Sequence, residues 1–186
     1  MNFIRHKDLG IDISNIFYVP VENLESDYEA MKTELLKNPN IINVTATSFP
    51  LVSYAYGTSA AEWEGKKKGQ RISIGLAMVD FDAFETFQVK ISKGRKFQKE
   101  FTSDATEAYI VNETAAKAMG MQDPIGKKFS WNQRDGRIIG VVRDFHNISL
   151  RQPIQPLVFM ILPSWFKNLS IKINPCLLYT SDAADE

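Results

Sequence analysis

Twice along this chain a β-branched run is followed by a helical segment and then by a second β-branched run. That order restricts the available architectures more than any other feature. Residues 14–21, SNIFYVPV, are β-branched and aromatic and read as a strand. Ser26 and Glu29 stand three apart, as in a capping box, and Tyr28, Met31 and Leu35 then share one helical face. Asn38-Pro39 stops that helix, because the proline ring disfavours α geometry in the residue before it. Residues 41–48, IINVTATS, are a second strand, so the unit is β-α-β with an expected right-handed crossover. The pattern returns downstream. Ala108 to Val111 is a strand, Asn112 an N-cap, Glu113 an acid at the positive end of the helix dipole, and Gly120 a C′ glycine. Asp123-Pro124 turns the chain into a hairpin, Lys127 to Asn132 and Arg137 to Arg143, with the turn expected at Arg134-Asp135-Gly136.

Between the two units the chain is richer in strands than helices. Short strands are expected at 62–64, 70–79 and 88–91, and further ones at 156–162 and 169–173. Asp80 to Phe87 is a helical turn whose Phe81, Phe84 and Phe87 form a core stripe, and Trp63 is a packed aromatic. Lys66-Lys67-Lys68, flanked by Gly65 and Gly69, reads as a solvated hairpin tip and not as a phosphate site. The fold class is α+β with mixed sheets. Hydrophobic residues make up 44% of the chain, enough for a real core in 186 residues. Acidic and basic residues balance at 22 each, which argues against a nucleic-acid binder. No run approaches the ~18–20 apolar residues that span a bilayer, and MNFIRHKDLGID lacks the apolar stretch of a signal peptide.

The last eleven residues, CLLYTSDAADE, break from this pattern after Pro175. They match the translation of a transposase-type sequencing adapter. Residues 176–186 are therefore read as an artefact and kept out of the fold argument, as any segment foreign to the natural gene would be. The only cysteine, Cys176, goes with them, and the natural protein is expected to continue past Asn174 or Pro175.

The most site-like string is GVVRDFH, residues 140–146, where Arg143, Asp144 and His146 follow a buried-type strand. A catalytic reading needs a nucleophile, and the serines stand in no G-x-S-x-G elbow. His6 and His146 are too few for a histidine-rich metal site, and no spacing singles out a pair among the carboxylates of Asp80, Glu113 and Asp144. The structural reading is preferred: Ile138 to Val142 is a strand buried on both faces. Asp144 accepts backbone hydrogen bonds in the following turn, Phe145 packs, and His146 is partly exposed. Asn43, Asn112, Asn147 and Asn168 begin N-x-[ST] sequons of the kind that arise by chance. The glycines form neither a P-loop nor G-x-G-x-x-G. No catalytic, cofactor-binding or metal-binding residue is assigned.

Taken in order, NFIRHKDLGID, LLKNPNIINVTATSFP, WEGK, GRKF, YIVNETAAKAMG, DPIGKKF and RIIGVVRDFHNISL resemble one family. It is the extracytoplasmic core domain of MacB/FtsX-like ABC transporter permeases, especially of the Bacteroidetes type. The resemblance covers nearly all of residues 1–174. It implies a porter module of two β-α-β-like halves, placed at 14–48 and 108–173, with a β-rich inserted module at 49–107. It further implies flanking transmembrane helices, a cytoplasmic ABC ATPase as partner, a permease dimer, a periplasmic or outer-membrane partner, and the inner membrane as location. The implied work is mechanical and non-catalytic: ATP-driven movement is passed to a substrate outside the membrane. Two alternatives stand beside it. One is a soluble extracytoplasmic binding protein with a concave pocket lined by Trp63, Tyr54 and Tyr56; the other is a hydrolase using Asp144 and His146.

Overall fold

The computed structural model describes residues 9–21, 24–53, 56–147 and 152–175. His6, Tyr54 and the adapter-like tail lie outside the described residues. The fold is α+β with mixed sheets.

A small sheet joins the two ends of the described chain. Strand β1, Ile16–Pro20, and strand β2, Ile41–Thr47, flank strand β11, Asn168–Ile173, which is antiparallel to both. The strands β1 and β2 therefore run parallel to each other without pairing. The first β-α-β unit is a split one, with β11 threaded between its strands. Helix α1, Leu24–Leu35, connects them. It begins two residues before Ser26, so the capping-box reading of Ser26 and Glu29 is corrected: Ser26 lies in the first turn. Leu24, at the start of the helix, is 1% exposed and belongs to the core. Val44, Ala46 and Leu169 pack against Leu24 and Tyr28 on the α1 side of this sheet.

The larger sheet has eight strands in the order β3-β5-β10-β7-β9-β8-β4, with β6 also paired to β9. They are β3 (Tyr56–Thr58), β4 (Glu62–Trp63), β5 (Ile74–Met78), β6 (Ile91–Gly94), β7 (Ala108–Asn112), β8 (Lys128–Trp131), β9 (Arg134–Val142) and β10 (Leu157–Met160). Two pairs are parallel, β7 with β9 and β5 with β10, and the other pairings are antiparallel. The edge strands β3 and β4 are only three and two residues long, which limits templated pairing with other chains. One face carries Ile74, Leu76, Val111 and Met160; the other carries Ala77, Val79, Ile110 and Phe159, with Phe84 and Phe87 of the segment around helix α2, Ala83–Thr86, packed on it. The phenylalanine stripe is thus core, as its spacing indicated.

The second β-α-β unit forms as its caps dictate. Asn112 Oδ1 accepts from the Ala115 amide at 2.8 Å at the start of helix α3, Glu113–Ala118. At the other end Gly120 has φ +74°, its amide donates to Lys117 O, and that of Met121 donates to Ala116 O. That pair of bonds is a Schellman ending with Gly120 at C′. The following hairpin corrects the expected turn. Asn132 and Gln133 take φ of +52° and +63° and form the two-residue turn between Trp131 and Arg134. Gly136 is inside β9 for another reason: a Cβ there would lie 2.1 Å from Glu107 O. The lysine run also differs from expectation at one residue. Lys66 is not solvated but lies over the Trp63 ring, 4.7 Å from its centroid, and donates to Ala61 O.

Candidate functional site

The hydrogen bonds of the 143–146 segment run to neighbouring elements of the fold. The Asp144 carboxylate accepts from the Thr114 amide at 2.9 Å and from Thr114 Oγ1 at 2.7 Å. It ties strand β9 to the first turn of α3, thirty residues upstream, and not to the turn that follows it. The Glu113 side chain reaches back to the Asp144 amide and to Ser92 Oγ. Phe145 is 2% exposed, and the His146 amide donates to Leu9 O at 2.9 Å. Asp144 and Glu113 therefore share a structural task, while Asp80 sits at a different place in the fold. Two sequons are likewise structural: Asn112 and Asn147 are 1% and 4% exposed.

An open cleft of about 780 Å³ lies over strands β4, β8 and β9, lined by Glu62, Trp63, Arg95, Asp104, Lys128 and Arg137 among others. Arg95 and Asp104 make a two-pronged contact in it, with Nη2 to Oδ1 at 2.8 Å, and Asp104 is fully buried. Trp63 faces this cleft. Tyr56, half exposed, instead packs edge-on against Trp131 and Trp165. Of the aromatics expected to line one pocket, the two described, Trp63 and Tyr56, thus stand in two places.

Among the described residues a buried polar cluster sits at the joint between the two sheets. There β2 meets the end of β5: the Ser48 amide donates to Met78 O at 2.9 Å, the Asp80 amide to Ala46 O at 3.0 Å, and Thr47 bridges Val79. The Asp80 carboxylate, held at this crossing, accepts from Tyr28 Oη and Thr45 Oγ1, and from Lys32 Nζ at 3.1 Å. Lys32 also reaches Asp82. Side-chain exposure is 8% for Lys32 and 6% for Asp80, so this ion pair is buried. Burial pushes the Asp80 carboxyl up, and Lys32, Thr45 and Tyr28 only partly offset it. Burial works to lower the Lys32 ammonium, but Asp80 and Asp82 outweigh it and the net shift is upward. Sequence reasoning missed Lys32. The signal was present: Lys32 is four residues past Tyr28, on the helical face that also carries Leu24 and Leu35.

Three tyrosines, Tyr28 and Tyr109 buried and Tyr18 partly buried, set an alkaline limit. Burial pushes Tyr18 up to about 12, Tyr109 also to about 12, and Tyr28 further up, aided by Asp80. Folding therefore holds protons that the unfolded chain loses near the ordinary phenol value of 10.0. Stability should be complete below that pH and fall as pH climbs toward 12. The urea midpoint against pH, followed by tryptophan fluorescence, tests this; a flat profile to the top of that window would refute it.

The fold is that of extracytoplasmic regions of bacterial transporters. The chain aligns with the crystal structure of the periplasmic region of MacB from Actinobacillus actinomycetemcomitans at TM-score 0.62 and 17% identity, covering 95% of this chain and 84% of that one. It also aligns with the extracellular domain of the ABC-type transporter YknZ from Gram-positive bacteria at TM-score 0.60 and 15% identity, covering 89% and 86%. No curated protein matches the chain. The family description of the MacB-like periplasmic core domain matches residues 3–176, and the chain belongs to that family. It is a periplasmic domain of the MacB-like permease type. Among the described residues no helix is long and apolar enough to cross a membrane.

Proposed function

We propose that this domain is the mechanical, non-catalytic part of an ABC transporter permease. A cytoplasmic ABC ATPase moves the membrane helices of the parent protein, and the domain carries that movement to a substrate or partner outside the inner membrane. A permease dimer and a periplasmic or outer-membrane partner complete the assembly. Family membership carries the reading. It is supported by the way the chemistry-bearing side chains are used. Asp144 holds a helix end, Arg95 and Asp104 hold each other, and Lys32 and Asp80 hold two sheets together. Such side chains build a body that transmits displacement.

The intact reading frame gives the test. Apolar segments of about 20 residues on both sides of the domain, with an ABC ATPase encoded in the same transcription unit, are expected. A complete frame with no such segment would contradict the proposal, as would turnover of a small molecule by the purified domain that His146→Ala abolishes.

A further inference from the structure

Strand β1 is an outer strand of the small sheet, and β11 uses only every second one of its peptide groups. The Val21 amide donates to Lys167 O at 2.9 Å, and the Ile173 amide donates to Asn15 O at 3.0 Å. Val19 with Leu169 and Phe17 with Ile171 stand between those two contacts, so the odd-numbered residues bond to β11. The backbone groups of Ile16, Tyr18 and Pro20 point the other way. Among the described residues no strand lies on that side of β1. The free edge is also bounded. Asn15 has φ +56° and leaves extended geometry, and Pro20 ends the strand.

The side chains beside this edge are apolar and uncovered. Phe17 lies in one row with Ile171 and Val44, and Val19 in one row with Leu169 and Ala46, on the α1 side of the sheet. Val44, Ala46 and Leu169 are buried, but Phe17 is 51% exposed and Val19 40%. Helix α1 therefore covers the β2 end of each row and leaves the β1 end open. Other edges of this fold are blunted. Strands β3 and β4 are three and two residues long, and β6 carries Lys93. Strand β1 is five residues long and has no charged side chain. Charge on an edge is a common guard against pairing with another chain, and here it is missing.

We propose that β1 pairs with β1 of a second copy of this chain. The sequence of the edge is complementary to itself in one antiparallel register. With the strand limited to residues 16–20, the two-fold axis falls at Tyr18. Tyr18 then exchanges two backbone bonds with Tyr18 of the partner subunit, and the Ile16 amide donates to the carbonyl of the partner's Pro20. Proline lacks an amide, and in this register it has only to accept. Phe17 falls opposite the partner's Val19 as a close aromatic–aliphatic pair, twice over, and both exposed side chains are covered. A shift of two residues would set Val19 against the partner's Asn15, outside the strand. The product is one six-stranded sheet running through both copies. This rests on the folded chain alone and stands whether or not the transport reading does.

Sedimentation equilibrium of the full chain is expected to show reversible association from 21.1 kDa to twice that mass. Concentrations up to roughly 1 mM reach contacts with Kd as weak as ~1 mM. Phe17→Lys and Val19→Lys, at exposed positions, should each weaken the dimer at least about tenfold, since each acts twice across the axis. Tyr56→Lys, on the edge strand β3, should leave it unchanged. Register is read by oxidation in the Cys176→Ser background. Chains with Phe17→Cys mixed with chains with Val19→Cys should cross-link at least about tenfold faster than either alone, because only that pair stands within disulfide reach. A single 21.1 kDa species throughout overturns the proposal. So does a dimer that the two lysine variants leave intact, or one that Tyr56→Lys weakens instead. Like-with-like cross-linking as fast as the mixed pair overturns the register. If a lysine variant fails to fold by circular dichroism, the cross-linking comparison decides.

Discussion

Gly140→Ala should cost about 3–5 kcal/mol, at the damaging end of single substitutions. A Cβ at Gly140 would stand 2.2 Å from the carbonyl oxygen of Arg95, and one at Gly94 would stand 2.3 Å from that of Ile139. These two glycines are register partners where β6 joins β9, beside an irregularity between Ile91 and Lys93. Backbone crowds backbone at both points, so no side chain can rotate away to make room. β6 would have to lift off β9, taking with it Arg95 and its grip on Asp104. Small domains are stable by only about 5–15 kcal/mol, so much of the folded population would be lost. Gly120→Ala is the control. It also adds a methyl, but nothing lies within 4 Å, and the cost is the left-handed φ of +74° alone. About 1 kcal/mol is expected there. Urea unfolding at constant slope measures both. Equal shifts for the two variants would show that the close approach at Gly140 is not what holds β6.

Lys32→Ala should cost about 3–5 kcal/mol, because it strands the buried Asp80 carboxylate without its cation. Tyr28 and Thr45 would remain as donors, and neither brings a charge. The pH dependence gives the cause away. Asp80 is already held above its ordinary value by burial, and losing Lys32 removes the largest influence that lowers it. A carboxyl raised in the folded state favours folding when protonated, so the variant should regain stability as pH falls through the Asp80 pKa. Replacing both partners, Lys32→Met with Asp80→Leu, should be close to neutral or stabilising, since neither charge is then left buried alone. A single variant as mild as the double one would show that the pair is not desolvated as its exposure indicates.

The local elements were largely legible. Asn112 and Gly120 mark α3 because a cap and a C′ glycine are short-range chemistry, and the phenylalanine stripe at 81–87 is core because its spacing is helical. What stayed hidden was long-range. Nothing within β1 or β2 tells that β11, more than a hundred residues away, would lie between them. Gly136 resembles a turn glycine in the sequence, yet its absent side chain makes room for Glu107 O inside β9. Asp144 reads from sequence as an acceptor for the turn that follows it, but it accepts from Thr114, a partner that only the parallel pairing of β7 and β9 brings to it. The joint was hidden because Lys32 looks like an ordinary solvated helix residue until Asp80 is brought to it.

The most direct test of the mechanical reading is made in the parent transporter, reconstituted in liposomes with its ATPase. Labels at Lys117 of the two protomers would report the separation of the domains with and without ATP. ATP binding is expected to shift that distance and hydrolysis to return it, while each domain keeps its internal secondary structure. A separation identical in the nucleotide-free, ATP-bound and hydrolysing states would contradict it.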